Sequence, residues 1–234
     1  MSAPSSQYHK LYDRFGTLFL VTVATVSLLL LVDLNQDQGI AEVLSLVVTM
    51  LAAVTLFLAV AVAGVGILGR RVTLSLIVVV VGAAIVSLVF TNVPNGHGGF
   101  LWLVLVVAAP IIALRRLMQH RTVTTETLLG AVSVYLLIAL AATYLFLFID
   151  TFVATSGQFF GQEEPTTVFA YFSLVTITTL GYGDFNPAGV FGRSAAAWEA
   201  VIGQIYLVVV VARLVTLYAG VRRPAQEDDA RSPD

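Results

Sequence analysis

The residues of this chain best placed for chemistry lie in one stretch, Thr176-Ile177-Thr178-Thr179-Leu180-Gly181-Tyr182-Gly183-Asp184. Threonines lead into it, two glycines bracket a tyrosine, and an aspartate closes it. Glycine adopts backbone angles that other residues avoid. Gly181 and Gly183 therefore allow successive main-chain carbonyls to point the same way, toward one shared axis. Other reactive groups are sparse. Cysteine is absent, which removes disulfides, thiolate metal sites and redox chemistry. The three histidines, His9, His97 and His120, fall in loops or tails, so zinc has no ligand set.

The elements that must hold this stretch are apolar. Of 234 residues, 58% are hydrophobic and 11% charged, whereas soluble domains carry about 25% charged residues. That balance reads as an all-α membrane protein. A net charge of −2 argues against a nucleic-acid partner. After a polar segment 1–14, six apolar runs are expected to span: Phe15–Val32, Val43–Leu68, Val72–Phe90, Phe100–Leu114, Leu128–Ile149 and Arg193–Tyr218. The first exceeds the apolar core of a signal peptide and lacks a small-residue cleavage site after it, so it is read as retained. Asn92-Val93-Pro94-Asn95-Gly96 marks a turn after the third run. The fourth contains Pro110, and Thr122–Glu126 reads as a polar helix start before the fifth.

Between runs five and six, Pro165 suits the first turn of a helix. Thr166–Ile177 follows, about twelve residues of mixed polarity and too short to cross a bilayer. This pattern predicts a re-entrant half-helix leading into the glycine stretch. Residues 222–234 are charged, contain proline, and read as a disordered tail. Ten of the twelve basic residues, Lys10, Arg14, Arg70, Arg71, Arg115, Arg116, Arg121, Arg222, Arg223 and Arg231, fall on one side if there are six spans. The positive-inside rule then puts both termini in the cytoplasm and the glycine loop at the outer face.

Thr179-Leu180-Gly181-Tyr182-Gly183 resembles the TVGYG filter of pore-loop potassium channels, whose carbonyl oxygens replace the hydration shell of K⁺. The departure is Leu180 in place of valine, which leaves the backbone carbonyl in place. The short helix before the string and the long apolar helix after it match the same family. The resemblance is specific over residues 165–204, while runs one to four match in number and orientation only. It implies six transmembrane helices with a re-entrant pore helix and a selectivity-filter loop between helices five and six. It further implies a four-helix, sensor-like unit at 15–121 and a pore unit at 122–221.

The resemblance also assigns roles. Carbonyls of Thr179, Leu180, Gly181 and Tyr182 would bind K⁺, the Thr179 hydroxyl would close the innermost site, and Gly183 would complete the loop. Thr178, Tyr171 and Asp184 would support the filter, with Asp184 bonded to Tyr171 at the outer mouth; a merely solvated acid is the plainer reading of Asp184. One chain holds one copy of the loop and a ring needs four, so a homotetramer is implied. Gly203 lies 22 residues after Gly181, at the family's inner-helix hinge position. Close helix packing is the other use of such a glycine. Gln204 and Leu207 are expected to line the cavity. Irregular backbone at membrane depth must be wrapped by protein or line a water-filled space.

The C-terminal end of the pore helix carries about half a negative charge and would favour a cation. Asp150, Glu163 and Glu164 would add negative charge at the outer side. Glu199 and Arg213 are the ionisable residues deep in the spans. Each needs a partner or water, and Arg213 is expected against Glu126.

The expected function is passive, K⁺-selective conduction across the plasma membrane, in contact with lipid. No enzyme activity, cofactor or small-molecule substrate is expected, K⁺ being the permeant ion. A voltage sensor needs several arginines within its fourth span. Phe100–Leu114 has none, so weak or absent voltage dependence is expected. The stretch after Tyr218 is shorter than the cytoplasmic ligand-binding domains many family members carry. The alternatives are a transporter, a non-conducting regulatory subunit on a channel fold, and a less selective cation channel. Internal repeats, which transporters usually show, are not found.

Overall fold

In the computed structural model the described residues are 15–31, 99–119, 123–153 and 158–221, with helical positions 47, 51, 54, 55, 58 and 59 between them. Apart from those six positions, the second and third expected spans and the tails 1–14 and 222–234 lie outside the described residues. Every described element is helical: α1 (Phe15–Leu31), α2 (Gly99–Leu117), α3 (Thr125–Phe148) continued by a π-helical turn (Ile149–Val153), α4 (Thr166–Ile177) and α5 (Val190–Val221). Two helical stretches, Thr125–Phe152 and Val190–Thr216, are long and apolar enough to cross a membrane.

α1 is apolar all round, and its threonines solve a local problem. Buried hydroxyls need partners. Thr22 Oγ1 donates to Leu18 O and Thr25 Oγ1 to Val21 O, each at 2.7 Å, one turn back along the helix. Thr25 Oγ1 also lies 3.0 Å from Thr55 Oγ1, which ties α1 to the second apolar run. α2 runs through Pro110 and ends at Leu117, three residues beyond the span read from the sequence, so Arg115 and Arg116 form its last turn. A proline normally breaks a helix by removing one hydrogen bond and crowding the preceding turn. Here Ala109, Pro110 and Ala113 are buried, and α2 packs along α3, so tertiary contact offsets the local cost.

α3 is the hub, in contact with α1, α2, α4 and α5. It starts at Thr125, three residues before the expected span, because Thr124 forms a reciprocal cap with Thr127. Thr124 N donates to Thr127 Oγ1 at 2.7 Å and Thr127 N to Thr124 Oγ1 at 3.3 Å. Glu126, in the same turn, accepts from Gly16 N at 2.8 Å and so satisfies an orphan amide of α1 across 110 residues of sequence. The main core joins Phe15 and Leu18 of α1, Ala109 and Ala113 of α2, Val134 and Leu137 of α3, and Tyr206 and Val210 of α5. A second, aromatic core at the opposite end of α3 gathers Phe146, Phe159, Phe169 and Phe172.

Pro165 stands at the N-cap of α4 with extended backbone (ψ 158°), one position before the expected first turn. α5 starts at Val190, three residues earlier than read from the sequence. Arg193 therefore lies in its first turn, where Nε donates to Pro187 O at 2.9 Å.

Candidate functional site

The glycine stretch begins where α4 ends. A helix leaves its last carbonyls without internal partners. Those of α4 are taken up by the loop itself. Thr178 N donates to Leu174 O (3.1 Å), Thr179 N to Thr176 O (3.0 Å), and Leu180 N and Gly181 N to Val175 O (3.0 and 3.4 Å). Thr178 Oγ1 adds a bond to Leu174 O at 2.6 Å. Four consecutive amides thus turn back onto the helix end.

The opposite edge of the same backbone is bare. No donor among the described residues meets the carbonyls of Thr179, Leu180, Gly181 or Tyr182, and the next bonded carbonyl is Gly183 O, which accepts from Asn186 Nδ2 at 2.9 Å. The dihedral angles explain the one-sidedness. Positive φ recurs at every second residue: 59° at Thr179, 55° at Gly181 and 80° at Gly183. Left-handed residues alternating with residues of negative φ turn successive peptide groups to one side, where a β-strand would alternate them. Thr179 is β-branched, and holding it at positive φ costs of order 1–3 kcal/mol, the kind of strain that clusters at functional sites. Leu180 and Tyr182 are exposed in the single chain.

Tyr171 of α4 braces the loop. Its hydroxyl donates to Asp184 Oδ2 at 2.7 Å. Its ring lies parallel to that of Tyr182, with centroids 6.5 Å apart and planes 2° from parallel, and Phe185 meets it edge-on at 6.0 Å. The bond to Asp184, followed by partial desolvation and the nearby charge, pushes the Tyr171 hydroxyl up to about 12. The bond therefore holds at neutral pH, and its contribution is lost as pH rises from the ordinary tyrosine value of about 10 through 12. Tyr171→Phe keeps both ring contacts and deletes the bond. If the chain conducts K⁺, as its resemblance implies, Tyr171→Phe should give a severalfold faster decay of sustained current with an unchanged reversal potential. Decay at the wild-type rate in patch recordings would remove Asp184–Tyr171 as a brace.

Behind the loop, α3, α4 and α5 meet. Tyr135 of α3 donates to Ile177 O at 2.8 Å, and Tyr206 of α5 donates to Ala131 O at 2.6 Å. Ser173 of α4 donates to Ala139 O at 2.7 Å, and its Oγ lies 2.5 Å from Oε1 of Glu199. Gly203 faces Ile177: a methyl group there would lie 2.6 Å from Ile177 Cγ1 and 3.0 Å from Ile177 O. Gln204 and Leu207 fall on the exposed side of α5, with Ile205, Val208 and Val209.

One expected pairing is replaced by others, and two further acids find partners the sequence did not name. Asp150 belongs to the π-helical turn, and its Oδ1 accepts from Phe159 N at 2.5 Å, anchoring the chain before α4. Arg213 was paired with Glu126 from the sequence, but the structure gives each a backbone partner: Arg213 Nη2 donates to Met118 O at 2.6 Å, and Glu126 serves Gly16. Glu199 finds Ser173.

Sequence reasoning missed Ser173, Tyr135 and Tyr206. All three are polar groups inside apolar helices. In a bilayer such groups require partners, so their presence was itself a usable signal.

Comparison with known proteins bears on this same segment. Residues 131–219 match the model of the family described as "Ion channel". Over 78 residues the chain is 33% identical to the potassium voltage-gated channel subfamily A member 4 of Homo sapiens, and equally to that of Mus musculus. The aligned stretch covers 30% of this chain and 12% of either relative, so the chain spans a small fraction of their length.

Proposed function

We propose that the chain belongs, through residues 131–219, to the pore-loop potassium channel family, and that it conducts K⁺ selectively and passively across the plasma membrane as a homotetramer. One observation carries this reading: the amides of residues 178–181 are spent on the α4 terminus while the carbonyls of Thr179, Leu180, Gly181 and Tyr182 meet no donor among the described residues. A buried amide-like group without a partner costs several kcal/mol. These residues are exposed in the single chain; closing four chains into a ring would take their oxygens out of bulk water, and a ligand must then replace the missing donors. A dehydrated cation on the axis of four chains does so. The Thr179 hydroxyl adds the innermost ligand.

In this arrangement α4 is the re-entrant pore helix. α3 is the outer helix and α5 the inner helix of the pore unit, 122–221. Residues 15–121 form the four-helix, sensor-like unit, for six spans in all. Both termini lie in the cytoplasm and the loop faces outward. The exposed apolar side of α5, with Val201, Ile205 and Val208, is covered by lipid and by the other three subunits. Gln204 and Leu207 line the inner cavity. Glu163 and Glu164 concentrate cations at the outer mouth within the screening length of about 10 Å.

Reconstitution tests the proposal. Vesicles holding the purified protein should pass K⁺ down its gradient without a coupled ion. Saturable or coupled uptake would indicate a transporter. No flux from a properly assembled preparation would indicate a regulatory subunit.

The body of α2 carries no charge before Arg115, so it holds no ladder of gating charges. Each charge moved through 100 mV supplies about 2.3 kcal/mol. We expect a shallow conductance–voltage relation in planar bilayers, and a steep sigmoid would contradict it.

A further inference from the structure

Glu199 sits in the third turn of α5, 4% exposed, against Ser173 of α4. Its surroundings pose a question of hydrogen counting. Ser173 Oγ makes two short oxygen contacts, 2.7 Å to Ala139 O and 2.5 Å to Glu199 Oε1. A serine hydroxyl has one hydrogen. Ala139 O can only accept, and it also receives Thr143 Oγ1 at 3.0 Å. If Glu199 were ionised it too could only accept, and one of the two contacts would press lone pair against lone pair. Two hydrogens are needed for two bonds, and the second can come from the carboxyl group. The other oxygen, Glu199 Oε2, is buried with no partner among the described residues. For a carboxylate that is an uncompensated buried charge, costlier than an unpaired neutral carbonyl.

We propose that Glu199 is carried protonated and acts as a positioning residue, its carboxyl O–H donating to Ser173 Oγ, which donates onward to Ala139 O, so that α5, α4 and α3 are clamped together behind the loop. The clamp rests on the channel reading for its consequence, because what it positions is the helix whose terminal carbonyls anchor Thr178–Gly181. Among the described residues, neighbouring groups neither neutralise nor compete with it. Tyr135 of α3 lies within electrostatic reach of Glu199, and its hydroxyl is committed to Ile177 O. On the other packed elements, Tyr171 is engaged with Asp184, Asp150 with Phe159 N, Tyr206 with Ala131 O and Arg193 with Pro187 O. Loss of the Glu199 proton converts a donor into a charged acceptor facing the Ser173 lone pairs, and the clamp opens. Conduction is then sensitive to alkaline pH through a site removed from the ion path.

The test uses the full-length protein in liposomes. Infrared spectra at neutral pH should show the carbonyl stretch of a protonated carboxyl that disappears in Glu199→Gln. In Ser173→Ala that band should shift toward the position of a carboxyl without a hydrogen bond. Wild-type K⁺ flux should fall severalfold and reversibly as pH is raised. Glu199→Gln, whose amide still donates to Ser173, should keep the neutral-pH flux and lose the alkaline fall. The clamp is overturned if no protonated-carboxyl band belongs to residue 199, or if Glu199→Gln shows the wild-type pH profile. If the band behaves as described while the wild type passes no K⁺, the clamp stands and the channel reading fails.

Discussion

Gly181→Ala is expected to abolish the preference for K⁺ over Na⁺. Gly181 holds φ at +55°, and its missing Cβ would meet no atom within 4 Å, so the cost of a methyl group there is conformational and not steric. An L-residue forced into the left-handed region pays about 1–2 kcal/mol. In the proposed ring of four chains every copy would pay it. The cheapest relief is to rotate residue 181 back to negative φ, which breaks the alternation that runs through residues 179, 181 and 183. The neighbouring carbonyls then leave the common face. A loss of about 1.4 kcal/mol in ion preference is tenfold, and the penalty exceeds this once summed over the ring. Reversal potentials with K⁺ on one side and Na⁺ on the other should therefore collapse toward zero, or the current should vanish from a tetramer that still assembles. A wild-type reversal potential in Gly181→Ala would remove the alternating backbone as the basis of selectivity.

The second large effect is at Gly203. Alanine is the better helix former by about 1 kcal/mol, so on local grounds Gly203→Ala should strengthen α5. The tertiary structure reverses the sign. The added methyl would lie 2.6 Å from Ile177 Cγ1 and 3.0 Å from Ile177 O. Ile177 is fully buried and its carbonyl already holds Tyr135, so neither atom has room to retreat. Overpacking of this kind costs about 1–3 kcal/mol. The strain falls on the last residue of α4, next to the carbonyls that hold the loop amides. We expect a lower thermal midpoint of the assembled protein and K⁺ conductance reduced by about an order of magnitude, the factor that about 1.4 kcal/mol supplies. A pure hinge glycine would behave differently: opening kinetics would change while the midpoint and the single-channel conductance stayed put. Single-channel recording combined with a thermal scan separates the two uses of this residue.

Much of the scaffold was legible because it follows from short-range rules. The bounds of α4, Thr166–Ile177, are those read from a mixed-polarity stretch after Pro165. α1 ends within one residue of its expected span. The errors at α2 and α5 were each about three residues and came from terms that sequence reading weighed too lightly. These were packing that carried α2 through Pro110 and an early start at Val190; at α3 the helix begins inside the polar start read at Thr122–Glu126, ahead of its apolar span. Charged side chains were the least legible. Arg213 and Glu126 bond backbone groups far along the chain and Asp150 one nine residues on, and nothing in the spacing of residues announces which amide or carbonyl comes within 3 Å.

By itself the sequence determined that the chain is an apolar, all-helical protein with a glycine-punctuated loop after a helix too short to span. Hydropathy and glycine's backbone freedom act over a few residues and need no knowledge of neighbours. Only the tertiary structure decided that Gly203 is a point of contact with Ile177, and that Ser173 stands between Ala139 and Glu199. Such choices depend on how three helices approach one another to within a methyl group's radius. That approach is set by the packing of every side chain along them, not by the local order of residues.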